Sequence, residues 1–129
     1  MSVTAVFITC GKNPDWFATL SAIEVPTYVV THDFQHEGLN RLFHVKNVMT
    51  WVGKFHWGSL ANLATRSTTS EWLLFLQDDV TPPSKEHIDL MIEQAEEAEA
   101  HMVFPSLVDD KICAQQLKLG EGWSDITEF

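Results

Sequence analysis

The segment Trp72-Leu73-Leu74-Phe75-Leu76-Gln77-Asp78-Asp79-Val80-Thr81-Pro82-Pro83 constrains the fold of this chain more than any other. Five apolar residues in a row read as a strand buried on both faces, and such strands belong mainly to parallel sheets covered by helices. Two carboxylates, Asp78 and Asp79, follow where the strand ends, and two prolines stop it from continuing. Neighbouring like charges repel, a cost that a cation or hydrogen-bond donors relieve. Open α/β sheets hold their ligands at the carboxyl ends of their strands. A hard divalent cation bridging to a phosphate would suit the pair. As loop residues alone, the two aspartates would simply make a turn.

The rest of the chain supplies the context. Val3 to Thr9 is a β-branched and aromatic run, a first strand that ends at Cys10-Gly11-Lys12. Asn13-Pro14-Asp15 then reads as a helix start, with Asn13 as N-cap and Pro14 as the first helical position. Pro26 opens a second run, Tyr28-Val29-Val30, which ends at Thr31-His32-Asp33. Strand, helix and strand fit within the length of a parallel crossover. Leu42 to Val45 reads as a short third strand, and Asn47 to Gly53 as loop. Gly58 to Thr68 reads as a helix with Leu60, Leu63 and Ala64 inward. Ser84 caps a long helix to about Ala100, with Ile88, Met91, Ile92, Ala95 and Ala98 at helical spacing. Its glutamates, Glu93, Glu96, Glu97 and Glu99, form a solvated face. Met102-Val103-Phe104 is the next expected strand, and Ile112 to Leu119 offers a weaker one. Strands and helices alternate, which predicts one α/β domain over 1–129 with a mainly parallel central sheet flanked by helices. Three strand ends, Thr9/Cys10, His32/Asp33 and Asp78/Asp79, would then converge at one edge.

Composition narrows the partners. At 129 residues and 45% hydrophobic, the chain is long and apolar enough to bury a core. A formal net charge of −10 argues against a nucleic-acid backbone and against an anionic membrane as partner. The first residues lack the basic region of a signal peptide, and no apolar run reaches the length of a membrane span. A cytoplasmic location is therefore expected. Cys10 and Cys113 fit no metal-ligand spacing, so two reduced, mostly buried thiols are the default. The histidines likewise lack ligand spacing and none suggests zinc. Trp51, Phe55 and Trp57, interleaved with Lys54 and His56, read as a hydrophobic cluster at the sheet edge or as an aromatic platform for a base or sugar.

Together these features resemble the N-terminal, nucleotide-sugar-binding half of family-2 glycosyltransferases, which have the glycosyltransferase-A fold. Val6-Phe7-Ile8-Thr9-Cys10-Gly11-Lys12-Asn13 with Leu20-Ser21 looks like the family's opening strand and helix. Tyr28 to Asp33 is similar to its second strand, whose terminal Asp contacts the base or ribose. Gly58-Ser59-Leu60-Ala61-Asn62 resembles the helix segment where a glycine and an Ala-Arg-Asn triplet usually stand. Ser70 to Asp79 looks like the strand ending in Asp-x-Asp, and its distance from Asn62 is the family's usual one. Two departures stand out. The first Asp of Asp-x-Asp falls on Gln77, and the arginine before the family's Asn falls on Ala61. The family's catalytic base and acceptor-binding segment lie downstream, whereas this chain stops at Phe129, so the resemblance is to a truncated version.

The resemblance implies a nucleotide-diphospho-sugar as ligand, of uridine or guanosine before adenosine, bound by Thr9, Asp33, Asn62 and Asp78. It implies Mn2+ or Mg2+ held by Asp79 and Asp78. The departing nucleoside diphosphate is a dianion, and a divalent cation offsets that charge as a Lewis acid. A carboxylate base would deprotonate the acceptor hydroxyl; Asp109, Asp110, Glu121, Asp125 and Glu128 are available, and no context distinguishes one of them. The expected function is glycosyl transfer, or donor binding for it. The alternative is a non-catalytic nucleotide-sugar-binding or assembly module that kept the fold and lost transfer. In either case a homodimer or a partner chain would cover the side where an acceptor half is missing.

Overall fold

The structure, a computed structural model, describes residues 2–54 and 56–103. The chain divides between Lys85 and Glu86 into two compact units. In the first, β1 (Val3–Thr9) leads to α1 (Trp16–Ser21) and β2 (Thr27–His32). A single 3-10 turn (Leu39–Arg41) precedes β3 (Val45–Trp51), and α2 (Trp57–Ser67) then leads to β4 (Trp72–Gln77). The four strands form one sheet in the order β3-β2-β1-β4, and every pairing is parallel. The α/β class with a parallel sheet and flanking helices, expected from the alternation of patterns, is what the first unit adopts.

The core follows from the strand sequences. β1 is an inner strand, paired on both sides, and its Ala5, Val6 and Phe7 have no exposed surface. Register places Val6 opposite Tyr28 and Ile8 opposite Val30. These four share one face with Leu60 and Ala64 of α2, and Met49, Trp51 and Leu73 pack at the rim. Right-handed crossovers decide where the helices go. The chain steps from β1 to β2 to β3 in one direction, then returns through α2 to the far side of β1. Crossovers running in opposite directions cover opposite faces, so α1 and α2 lie on opposite sides of the sheet. The strand order therefore reverses between β1 and β4.

Several boundaries differ from expectation. The third strand is Val45–Trp51, where a loop was expected, and Leu42 to His44 precede it. Lys46 and Asn47 are exposed, and the pairing with β2 shifts register there, next to Thr27 and Tyr28. The bulge breaks the alternation by which a strand is recognised. β4 keeps its place but not its environment. Among the described residues it pairs with β1 alone, and Phe75 is 41% exposed, so it is not buried on both faces. Helix α1 starts two residues later than expected, with Asp15 at the N-cap position. In the second unit, α3 (Lys85–Glu97) is shorter than predicted; it buries Ile88, Met91, Ile92 and Ala95 and leaves Glu86, Glu93, Glu96 and Glu97 exposed. Met102 and Val103 are not in a strand; the rest of that expected strand, the one at 112–119, and Cys113 lie outside the described residues. No helix among the described residues is long and apolar enough to cross a membrane.

Candidate functional site

Parallel pairing brings three strand ends to one edge. Thr9 faces Thr31, and Ile8 faces Gln77, so Cys10, His32-Asp33 and Asp78-Asp79 follow at similar heights. An open cavity of about 380 Å³ lies there, lined by Ile8, Cys10, His32, Trp57, Gln77, Asp78 and Asp79. It sits on the α2 side, at the place where the strand order reverses, which is where open α/β sheets bind ligands. A second cavity of about 370 Å³ shares Asp78 and Asp79 and is lined otherwise by α1 and the β1–α1 loop, with Asn13, Asp15, Ala18 and Thr19, and by Val80 to Pro82. The two aspartates thus form the wall between the cavities.

Each expected site residue has a definite place. Thr9 is only 2% exposed. Its hydroxyl donates to Asp78 Oδ2 at 2.6 Å and accepts from Gly11 N–H at 3.0 Å. Asn13 donates its amide to the Asp78 carbonyl at 2.8 Å, and its Oδ1 accepts from Asp15 N–H at 3.1 Å. Asp78 is half-buried and Asp79 exposed. Asp33 closes the neighbouring strand pair: its Oδ1 accepts from Gly53 N–H at 2.9 Å while its own N–H donates to the Trp51 carbonyl. It does so at φ +60, a left-handed conformation that Asp tolerates better than most residues. His32 Nε2 lies 2.6 Å from the Gly53 carbonyl, so that nitrogen carries the proton, and 3.3 Å from Asp33 Oδ2. Asn62 is exposed on α2 and does not line either cavity.

The aromatic cluster splits. Trp51 packs at the core rim and donates its Nε1–H to the Lys54 carbonyl. Trp57, 39% exposed, forms the cavity wall and meets Phe75 edge-on at 5.9 Å. Phe55 lies outside the described residues, as do Asp109, Asp110, Glu121, Asp125 and Glu128. Cys10 was expected to be buried, but it is a free, exposed thiol on the cavity wall. It follows the last β1 position, so the strand no longer covers it. Among the described residues, no group of three or more His, Cys, Asp or Glu side chains gathers to hold a metal ion.

A second aromatic group fixes the loops from behind. Trp16 meets Phe34 at 5.4 Å and His36 at 5.2 Å, both edge-on, which ties α1 to the loop after β2. Phe34 also presses on Gly11, where an added Cβ would lie 3.0 Å from the ring. Gly11 has φ +77, a conformation that favours glycine, and an added Cβ would also make the Phe34 ring give by a few tenths of an ångström. Gly11→Ala is expected to cost about 1–2 kcal/mol, read as a lower urea midpoint at unchanged slope. An unshifted midpoint would mean that the ring and loop yield freely. No protein-family model matches the chain, and neither does any curated protein or solved structure.

Proposed function

We propose that the cavity at the reversal between β1 and β4 binds a nucleoside-diphosphate sugar, and that the chain is a glycosyltransferase or the donor-binding part of one. The observation that carries this reading is one cavity with two kinds of wall. Asp78 and Asp79 supply carboxylates at one side, and the exposed ring of Trp57 lies at another. An aromatic face suits a base or a sugar ring, and carboxylates suit the cation that accompanies a diphosphate. The chain's net charge of −10 makes a bare diphosphate a poor ligand here, which is a reason for a cation to accompany it.

The residues present fit a cation of one kind. Asp79 is exposed, and one oxygen of Asp78 is already taken by Thr9. Two carboxylates do not make a protein-only cage, but Mg2+ and its analogues keep waters and take phosphate oxygens as their remaining ligands. Asp79, with the second oxygen of Asp78, would hold Mg2+ or Mn2+ in company with the diphosphate. The ion would supply charge neutralisation at the phosphate oxygens. Trp57 would orient the ring, and the buried Thr9 would hold Asp78 in place.

Gln77 favours a second reading. It lines the cavity where the resemblance would put a further carboxylate, and its amide oxygen carries no charge. Weakened metal binding suits a module that binds a donor without transferring its sugar. Titration with UDP- and GDP-sugars, with and without Mn2+, tests both readings. Binding should raise stability by about 2.7 kcal/mol at a hundredfold excess over Kd, read as a higher melting temperature. Nucleotide release from the bound donor marks a transferase, and binding without release marks the module. No shift with any donor at millimolar concentration would sink both.

A further inference from the structure

We propose that Asn13 and Thr9 are positioning residues for Asp79, acting through Asp78, which makes the β1–α1 loop and the turn after β4 one rigid unit. The inference rests on the reading that Asp79 meets a metal-bound diphosphate. β4 ends at Gln77, paired with Ile8, and the sheet ladder has no further rung to hold the next peptide. Left alone, an exposed turn carrying two carboxylates would sample many conformations. Instead Asp78 is held twice, by Asn13 at its backbone carbonyl and by Thr9 at its carboxylate.

Both holders are themselves held. Thr9 is buried and its oxygen accepts from Gly11 N–H, which directs its proton to Asp78. Asn13 accepts from Asp15 N–H with Oδ1, so its Nδ2 must face the carbonyl of Asp78. A flipped amide would set donor against donor and acceptor against acceptor. Asp at this position would lack the donor, and Ala would lack both groups. The turn of Asp78 and Asp79 is thereby fixed before any ligand arrives, and a ligand that uses Asp79 need not order it.

Two variants test this. Asn13→Ser keeps a hydroxyl for the Asp15 N–H but is too short and singly branched to reach the Asp78 carbonyl as well. Thr9→Val removes the hydroxyl that holds the Asp78 carboxylate. With Mn2+ present, Asn13→Ser and Thr9→Val should each raise the Kd for UDP or GDP by about tenfold. Binding measured without metal should change in neither, because a positioning role acts through the ion. Equal losses with and without metal would overturn the proposal, as would unchanged affinity in Asn13→Ser. A second measurement needs no ligand: backbone order parameters of Asp78 and Asp79 should be about 0.85 in the unsubstituted protein and fall towards about 0.6 in Asn13→Ser. Unchanged order parameters overturn the rigid unit even if the nucleotide binds. Failure of the unsubstituted protein to bind nucleotide, with the order parameters falling as expected, overturns the nucleotide reading and leaves the rigid unit standing.

Discussion

Asp79→Asn is expected to remove metal-dependent donor binding, with a loss of about a hundredfold or more, and to leave the fold intact. Asp79 is exposed and lies two residues beyond the end of β4, so the amide replaces the acid without a cavity or a buried unpaired group. Surface changes of this kind stay within about 0.5 kcal/mol of stability. Among the described residues the cavity offers two carboxylates, and one oxygen of Asp78 is occupied by the Thr9 hydroxyl. Removing the other charge halves the protein's share of the attraction for a divalent ion. Groups that merely orient a ligand cost about ten- to a hundredfold when removed, so a direct ligand should reach the top of that range or pass it. Isothermal titration with a UDP- or GDP-sugar and Mn2+ measures the loss. Asp78→Asn is the informative control, because its amide oxygen still accepts from Thr9. If that variant loses the metal and Asp79→Asn keeps it, the assignment of Asp79 is overturned. If the unsubstituted protein also releases nucleotide from the donor, Asp79→Asn should abolish that turnover.

Much of this site is visible in the residue string, and the reasons for the remainder are physical. The strands β1, β2 and β4 and the helix α2 follow from apolar runs and helical spacing, and parallel pairing then brings Cys10, His32 and Asp78 to one edge. β3 escapes because Lys46 and Asn47 interrupt its pattern at a bulge. The apolar run of β4 announces a strand, but says nothing about which side of β1 it joins or how many neighbours cover it. Asn13 shows a different kind of blindness. Locally it reads as a cap, and it does make a turn with Asp15, but its amide also reaches a carbonyl 65 positions away. One side chain serves both contacts, and spacing along the chain reveals only the nearer. Cys10 is exposed for a similar reason: a thiol usually belongs to the interior, and only the exact end of β1 decides that this one does not.

Phe7 and Phe75 should respond very differently to truncation, although both lie on strands of the same sheet. Phe7 sits mid-way along β1 with no exposed surface, beside Val29 on one side and Leu76 on the other. Phe7→Ala would leave a cavity on one face of the sheet, and the ladder hydrogen bonds on both sides of β1 limit how far its backbone can move to fill it. A loss of about 3–5 kcal/mol is expected, a large share of the 5–15 kcal/mol that holds a domain together. Phe75 lies on β4, which has β1 as its one partner among the described residues, and the ring is 41% exposed against Trp57. Less apolar area returns to water and neighbouring groups can relax, so Phe75→Ala should cost about 1–2 kcal/mol. Urea unfolding followed by circular dichroism measures both, with the midpoint shifting at constant slope. Equal costs would overturn the placement of Phe75 at the partly exposed edge that β4 forms among the described residues. They would mean that the Phe75 ring is packed as fully as that of Phe7, and the cavity beside Trp57 would then be more enclosed than the described residues make it.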